Sequence, residues 1–192
     1  DKLRRGKLST HIKFGESTAV LDGNSLLTMA FEILSDNSLK INEKIKLNLI
    51  KRLSECSGHM GIAGGQFLDL RFEKKKISKN KIIDMELKKT GKLFSFCCMA
   101  PSIIKNKDIK VIQLFGKIGS DIGLLFQIAD DFIDHKGSTK KAGKKTKKDQ
   151  KKGKATLISL LGYKNTIKYS ENIKKNIFKK ISKFGKKAKQ HL

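Results

Sequence analysis

Apolar residues recur at helical spacing along most of this chain. The longest pattern runs over residues 108–134, where Val111, Phe115, Ile118, Ile122, Leu125, Ala129 and Phe132 follow alternating steps of four and three. That spacing predicts one long helix with one continuous buried stripe. A second helix is predicted over 17–35, capped by Ser17, with Val20, Leu21, Leu26, Leu27, Ala30, Phe31 and Leu34 buried. Others are predicted over 45–53, over 81–100 and ending before Pro101, and near 155–161 and 164–184. Between them lie an exposed cationic loop over 1–15, a linker over 36–42, a polar turn over 72–78 and a lysine-rich loop over 142–152. No convincing strand and no internal repeat interrupt this order. The expectation is an all-α bundle of one domain, its site central and its ligands on facing helices.

Three carboxylates and an amide break into the longest pattern. In Phe126-Gln127-Ile128-Ala129-Asp130-Asp131-Phe132-Ile133-Asp134, the polar residues Gln127, Asp130, Asp131 and Asp134 share an arc of roughly 100° beside the apolar stripe. Two adjacent aspartates and a third one turn later do not sit charged near a core without a counter-charge. A hard divalent cation fits, since Mg²⁺ takes one or two carboxylates, keeps several waters and accepts phosphate oxygens. The plainer reading is the solvated acidic end of an amphipathic helix. The residues after Asp134 favour the cation: His135-Lys136-Gly137-Ser138-Thr139, then Gly143-Lys144, and later Gly153-Lys154-Ala155-Thr156. Carboxylates hold the metal, and lysines act as point charges on phosphate oxygens.

Charge widens the choice before it narrows it. The 192 residues carry a formal net charge of +25, which favours polyanions: nucleic acid, an anionic membrane or small phosphates. From Lys136 to Lys189 only Asp149 and Glu171 oppose the lysines. Within that stretch Ile173, Ile177, Phe178, Ile181 and Phe184 alternate with lysine pairs. This is either a basic helix for a membrane surface or a core-facing helix with a solvated lysine face; lysine and isoleucine enrichment throughout the chain favours the second. No run of 18 apolar residues occurs, so no transmembrane helix is expected, and the charged opening argues against a signal peptide. Cys56, Cys97 and Cys98 lack metal spacing and read as buried packing residues, consistent with a reducing cytoplasm. Gly58, Gly61, Gly64 and Gly65 are not followed by the Lys-Ser/Thr of a P-loop, so close helix packing or a kink near a ligand explains them better. His59, His135 and His191 show no ligand spacing with carboxylates, and His11 reads as structural or peripheral rather than catalytic.

The aspartate segment resembles the second aspartate-rich region of the trans-isoprenyl diphosphate synthases, the polyprenyl synthetase family that includes bacterial farnesyl and geranylgeranyl diphosphate synthases. Four further blocks resemble that family in the same order: Asp1-Lys2-Leu3-Arg4-Arg5-Gly6-Lys7 through Gly15-Glu16, Ala19-Val20-Leu21-Asp22-Gly23-Asn24-Ser25-Leu26-Leu27, Gly64-Gly65-Gln66-Phe67-Leu68-Asp69-Leu70, and Lys89-Thr90-Gly91-Lys92-Leu93. The resemblance covers nearly the whole chain. It implies a single polyprenyl synthetase domain over 1–192, an isoprenoid synthase-type helical bundle with a central active-site cavity, Mg²⁺ as cofactor and a homodimer. The implied reaction condenses isopentenyl diphosphate with dimethylallyl or geranyl diphosphate, by ionisation, condensation and elimination, to farnesyl or geranylgeranyl diphosphate. Carried over residue by residue, it implies that Asp130, Asp131 and Asp134 hold the metal, Asp134 through a bound water. Lys89, Lys144, Lys154 and Arg4 would hold the allylic diphosphate, and Arg5 the isopentenyl diphosphate. Thr90 and Gln127 would lie near the developing cation and, with Lys89, form the catalytic set. Gln66 and Asp69 would organise the site.

The sequence also departs from the family. Asp1 aligns just beyond the family's first aspartate-rich motif, the Gly-Lys-Arg block that binds isopentenyl diphosphate is absent, and Phe184-Gly185-Lys186 resembles a point one short helix before a usual end. The expectation is an internal piece of a longer enzyme, inactive as it stands. Product length depends on residues before that first motif, although the opening and Gly-Gln blocks lean towards farnesyl. Three rivals stay open: a non-catalytic partner subunit of a prenyl synthase, a basic nucleic-acid-binding helical protein, and a terpene cyclase of the same fold. Intact Asp130, Asp131, Asp134, Lys89 and Lys144 argue against the first, and the scarcity of arginine and the apolar placement of phenylalanine against the second.

Overall fold

A computed structural model describes residues 2–4, 6–136 and 153–184, apart from the side chains of Lys136 and Lys183. It opens on a two-residue antiparallel hairpin, β1 (Leu3–Arg4) and β2 (Lys7–Leu8), with Leu3 opposite Leu8 and Arg4 opposite Lys7. Gly6 makes the turn at φ 76°, a left-handed conformation that glycine adopts without a Cβ penalty. Helices come next: α1 (Thr10–Lys13), α2 (Glu16–Ser35), α3 (Glu43–Ser57), α4 (Ile62–Phe72) and α5 (Lys79–Glu86). A π-helical turn, Leu87–Gly91, joins α5 to α6 (Lys92–Ile104). Then come α7 (Ile109–Lys136), α8 (Leu157–Leu161), α9 (Tyr163–Ile181) and a closing 3₁₀ turn, Ser182–Phe184. Side chains cap α3 and α8. Asn42 accepts from the Lys44 N–H at 2.8 Å, and Thr156 and Ser159 form a reciprocal capping box on α8.

α7 is the centre of the bundle, packing on α6, the π-turn and α9. Its buried side chains serve two cores. Leu124 and Ile128 join Ile82, Met85, Ala155 and Leu157, while Ile118 meets Ile177 and Ile181 of α9. A third core, Leu49, Leu53, Cys56, Phe96 and Ile103, joins α3 to α6. Complete burial of a side chain such as Leu49, Ile128 or Leu157 contributes roughly 1.5–3 kcal/mol. Asp121, buried in α7, is paired with Lys117 at 2.9 Å and with Lys180 of α9 at 2.8 Å, so charge as well as packing ties these helices.

Several expectations from sequence are corrected. The opening is a small hairpin and a helical turn rather than a loop alone. Gly15, not Ser17, caps α2. The apolar face of α2 is largely open: of the seven residues expected to be buried, Val20, Leu21, Leu26 and Leu27 are exposed, and Ala30, Phe31 and Leu34 reach partial burial. On α7, Ala129 is exposed and the most deeply buried apolar positions are Ile118, Leu124 and Ile128, because helices pack on more than one side. Helix α6 runs through Pro101. The carbonyl that loses its donor there belongs to Cys97, on an exposed face where water can replace the bond. Cys56 is buried but Cys97 is exposed, and none of the three cysteines is bridged. Residues Ile109–His135 are long and apolar enough, by length and composition, to cross a membrane. The same segment carries four aspartates and forms the packed centre of the bundle, as core helices that pass this test do. The basic α9 turns Ile177 and Ile181 into the core and keeps its lysines outward apart from Lys180, which pairs with Asp121, the arrangement of a core-facing helix.

Candidate active site

Close glycine contacts bring the site together. Gly65 of α4 lies so near the backbone of Lys88 and Lys89 that an added Cβ would strike it. Gly123 of α7 meets the π-turn from another side, where a Cβ would stand 2.7 Å from Gly91 Cα. Held between α4 and α7, the turn is wider than an α-turn, and such π-bulges recur at functional sites. It presents Lys89 and Thr90 between Asp69 of α4 and Gln127 of α7.

The side chains then connect in sequence. Lys89 Nζ donates to Asp69 Oδ2 at 2.6 Å, and Lys154 Nζ stands 3.9 Å from the same oxygen. Thr90 Oγ1 donates to Gln127 Oε1 at 3.2 Å, and Gln127 Nε2 donates to Asp131 Oδ1 at 3.2 Å. Because the amide of Gln127 uses its oxygen towards Thr90 and its nitrogen towards Asp131, the π-turn and the aspartate face of α7 are held in one register. Lys154 is delivered by the stretch before α8, which is fixed by Lys74 N–H donating to Gly153 O at 2.7 Å and by the Thr156 cap.

Asp131 and Asp134 are buried, at 5% and 6% exposure, and Asp130 is half-buried. Beside them Glu86 is 2% exposed. Burial pushes its carboxyl well above the ordinary range; the charges of Asp131 and Asp69 push the same way, and Lys89 opposes them. A cavity of about 750 Å³ adjoins the far side of the aspartates, lined by Lys75, Lys76, Asp131, Asp134 and Lys154 among others. Lysines and carboxylates thus face one space, a setting for an anion and a cation together.

Mg²⁺ fits this donor set. Asp130, Asp131 and Asp134 offer hard oxygen ligands on neighbouring turns of one helix. Among the described residues no three acidic, histidine or cysteine side chains converge tightly enough to enclose a metal. An open set is what Mg²⁺ uses, since it retains waters and shares substrate phosphates.

Of the residues singled out from sequence, the structure brings together Lys89, Thr90, Gln127, Asp131, Asp134 and Lys154, with Asp69 holding Lys89, and Asp130 precedes Asp131 on α7, half-buried. Gln66 is exposed on α4. Arg4 is exposed on β1, and among the described residues no hydrogen bond or ion pair joins it to this group. Arg5 and Lys144 lie outside the described residues, as does the loop over 142–152. Sequence reasoning missed Glu86 and the π-turn. The only local signal for Glu86 was an acidic residue beside Met85 and Leu87 in an apolar stretch.

The profile of the family described as polyprenyl synthetase matches residues 1–191. The farnesyl diphosphate synthase of Micrococcus luteus is 41% identical over 162 residues, covering 84% of this chain and 55% of the relative. That of Escherichia coli is 35% identical over 175 residues, covering 90% and 58%. A geranyltransferase structure from Helicobacter pylori, complexed with magnesium and isoprenyl diphosphate, matches with a TM-score of 0.84 at 32% identity, over 94% of this chain and 58% of that one. An FPP/GFPP synthase structure from Zymomonas mobilis also gives 0.84, at 34% identity, over 98% and 63%. The chain spans little more than half the length of the curated relatives it matches.

Proposed function

The chain belongs to the polyprenyl synthetase family, and from that premise we propose that it serves a prenyltransferase that joins an allylic diphosphate to isopentenyl diphosphate, giving farnesyl or geranylgeranyl diphosphate. The observation that carries the proposal is the run Thr90–Gln127–Asp131, which sets a polar pair beside the buried aspartate face of α7. In this reading Asp130, Asp131 and Asp134 hold Mg²⁺. When bound, the metal neutralises the leaving diphosphate and lowers the barrier to breaking the allylic C–O bond.

The chain's own groups do the rest. Lys89, fixed by Asp69, and Lys154 supply positive charge to the diphosphate as the bonding pair moves onto it. The oxygens of Thr90 and Gln127 face the developing carbocation without being nucleophiles strong enough to trap it. The electron pair of the isopentenyl double bond then forms the new carbon–carbon bond, and a proton beside the resulting cation passes to the released diphosphate as a double bond re-forms. Arg4, Arg5 and Lys144 keep their diphosphate-binding roles as part of the proposal. So do a cytoplasmic setting, which suits three unbridged cysteines, and a homodimer, in which a second copy covers the open face of α2.

Labelled isopentenyl diphosphate incubated with the protein expressed from its complete reading frame tests this reading. Dimethylallyl, geranyl and farnesyl diphosphate serve as separate primers. Mg²⁺-dependent label in solvent-extractable product is expected, with the preferred primer reporting chain length. A folded protein that makes no product with any primer would contradict the enzyme reading and favour a non-catalytic partner subunit.

A further inference from the structure

Glu86 closes α5 one residue before the π-turn, and its Oε2 has no hydrogen-bond partner among the described residues. The side chain borders a void of about 20 Å³ whose other walls include Asp69, Lys89, Gln127, Asp131 and Thr156. Native proteins leave few buried polar atoms unsatisfied, and an apparent exception calls for an explanation such as an ordered water. A void holds a water when it has at least ~10–15 Å³ of accessible space and two to four polar partners. This one has the space and a surplus of polar walls.

We propose that the void is the site of one tightly held water molecule, and that Glu86, acting through it, is a positioning residue for Asp131. Gln127 holds one oxygen of Asp131, and the water gives the same side chain a second anchor from α5. The π-turn, α4 and α7 then share one buried polar node. The positioning role rests on the metal–diphosphate reading above; the water site does not. Outer-sphere partners of metal-binding carboxylates are worth about 10–100-fold in metal affinity, so the node is expected to show in metal binding and not only in stability.

The test uses the protein from its complete reading frame. A crystal structure at a resolution that shows waters is expected to place density in the void within hydrogen-bond distance of Glu86 Oε2. Calorimetric titration with Mg²⁺ and inorganic diphosphate is expected to find Glu86→Gln within about 2-fold of the wild type, because the carboxamide still reaches the water. Glu86→Leu, which fills the space with apolar atoms, is expected to bind about 10-fold more weakly while remaining folded by thermal melting. An empty void overturns the inference, as does a folded Glu86→Leu variant with wild-type metal binding. A wild-type protein that binds no magnesium diphosphate sinks the functional reading and with it the positioning role, while the density still decides the water site.

Discussion

Asp69 and Glu86 are buried acids that border one void with Lys89, with opposite consequences. Asp69 is paired with Lys89 at 2.6 Å. Replacing Lys89 by Met leaves that buried carboxylate with only the longer contact to Lys154, 3.9 Å away. Loss of a partner from a fully buried pair costs ~3–5 kcal/mol; with Lys89 at 24% side-chain exposure, about 2–3 kcal/mol is expected by urea denaturation. Asp69→Asn should cost less, and the double-mutant cycle should show coupling between the two sites. Glu86 has no such partner, and its folded-state carboxyl holds its proton to higher pH than in the unfolded chain. Above the usual carboxylate range the folded state therefore binds more protons than the unfolded one, and stability falls as pH rises towards the raised value. Glu86→Gln should flatten that part of the pH–stability profile and be more stable than wild type at neutral pH. Equal slopes for the two proteins would show that Glu86 does not hold its proton. The aspartates were legible in the sequence because their arc on α7 needs only one helix. Glu86 was not, since its burial depends on α4, α7 and the 153–156 stretch arriving from elsewhere.

At the scale of elements, the π-turn decides where Lys89 and Thr90 point. A continuous helix through 81–100 was expected, and the apolar pattern does continue through the region; the extra residue in the turn leaves no periodic mark. The glycines were visible, and close packing was the right reason for Gly65, although its partner was not readable; Gly64 instead lies against the carbonyl of His59 at the start of its own helix. Gly65→Ala or Gly123→Ala gains up to about 1 kcal/mol of helix propensity. Overpacking opposes it by ~1–3 kcal/mol, and the clash is with backbone, which does not swing aside. Net destabilisation of about 1–2 kcal/mol is expected for each, together with a loss of turnover that the stability change does not explain. Full activity in either variant would mean that the π-turn does not depend on this contact. The α2 misreading has a simple cause. Helical periodicity reports that a face is apolar, not what covers it, and among the described residues nothing covers most of this one.

For the whole molecule, the net charge of +25 carried less functional information than its size suggested, because α9 spends its apolar face on the core and leaves lysine as ordinary solvated surface. The bundle and the order of its helices were readable from spacing. The Thr90–Gln127–Asp131 connection was not, since the path from residue 90 to residue 127 depends on how α6 folds back on α7. If a second copy covers α2, Leu21→Asp combined with Leu26→Asp should shift sedimentation from dimer to monomer, whereas an unchanged dimer would place the interface elsewhere. The central claim is that the aspartate face of α7 holds a metal-bridged diphosphate. Its most direct test is calorimetric binding of geranyl diphosphate, with and without Mg²⁺, to the protein from its complete reading frame and to its Asp130→Asn variant. Binding that needs Mg²⁺ and falls at least ~10-fold in the variant is the predicted result. Binding of equal strength without the metal, or undiminished in a folded Asp130→Asn protein, would contradict it.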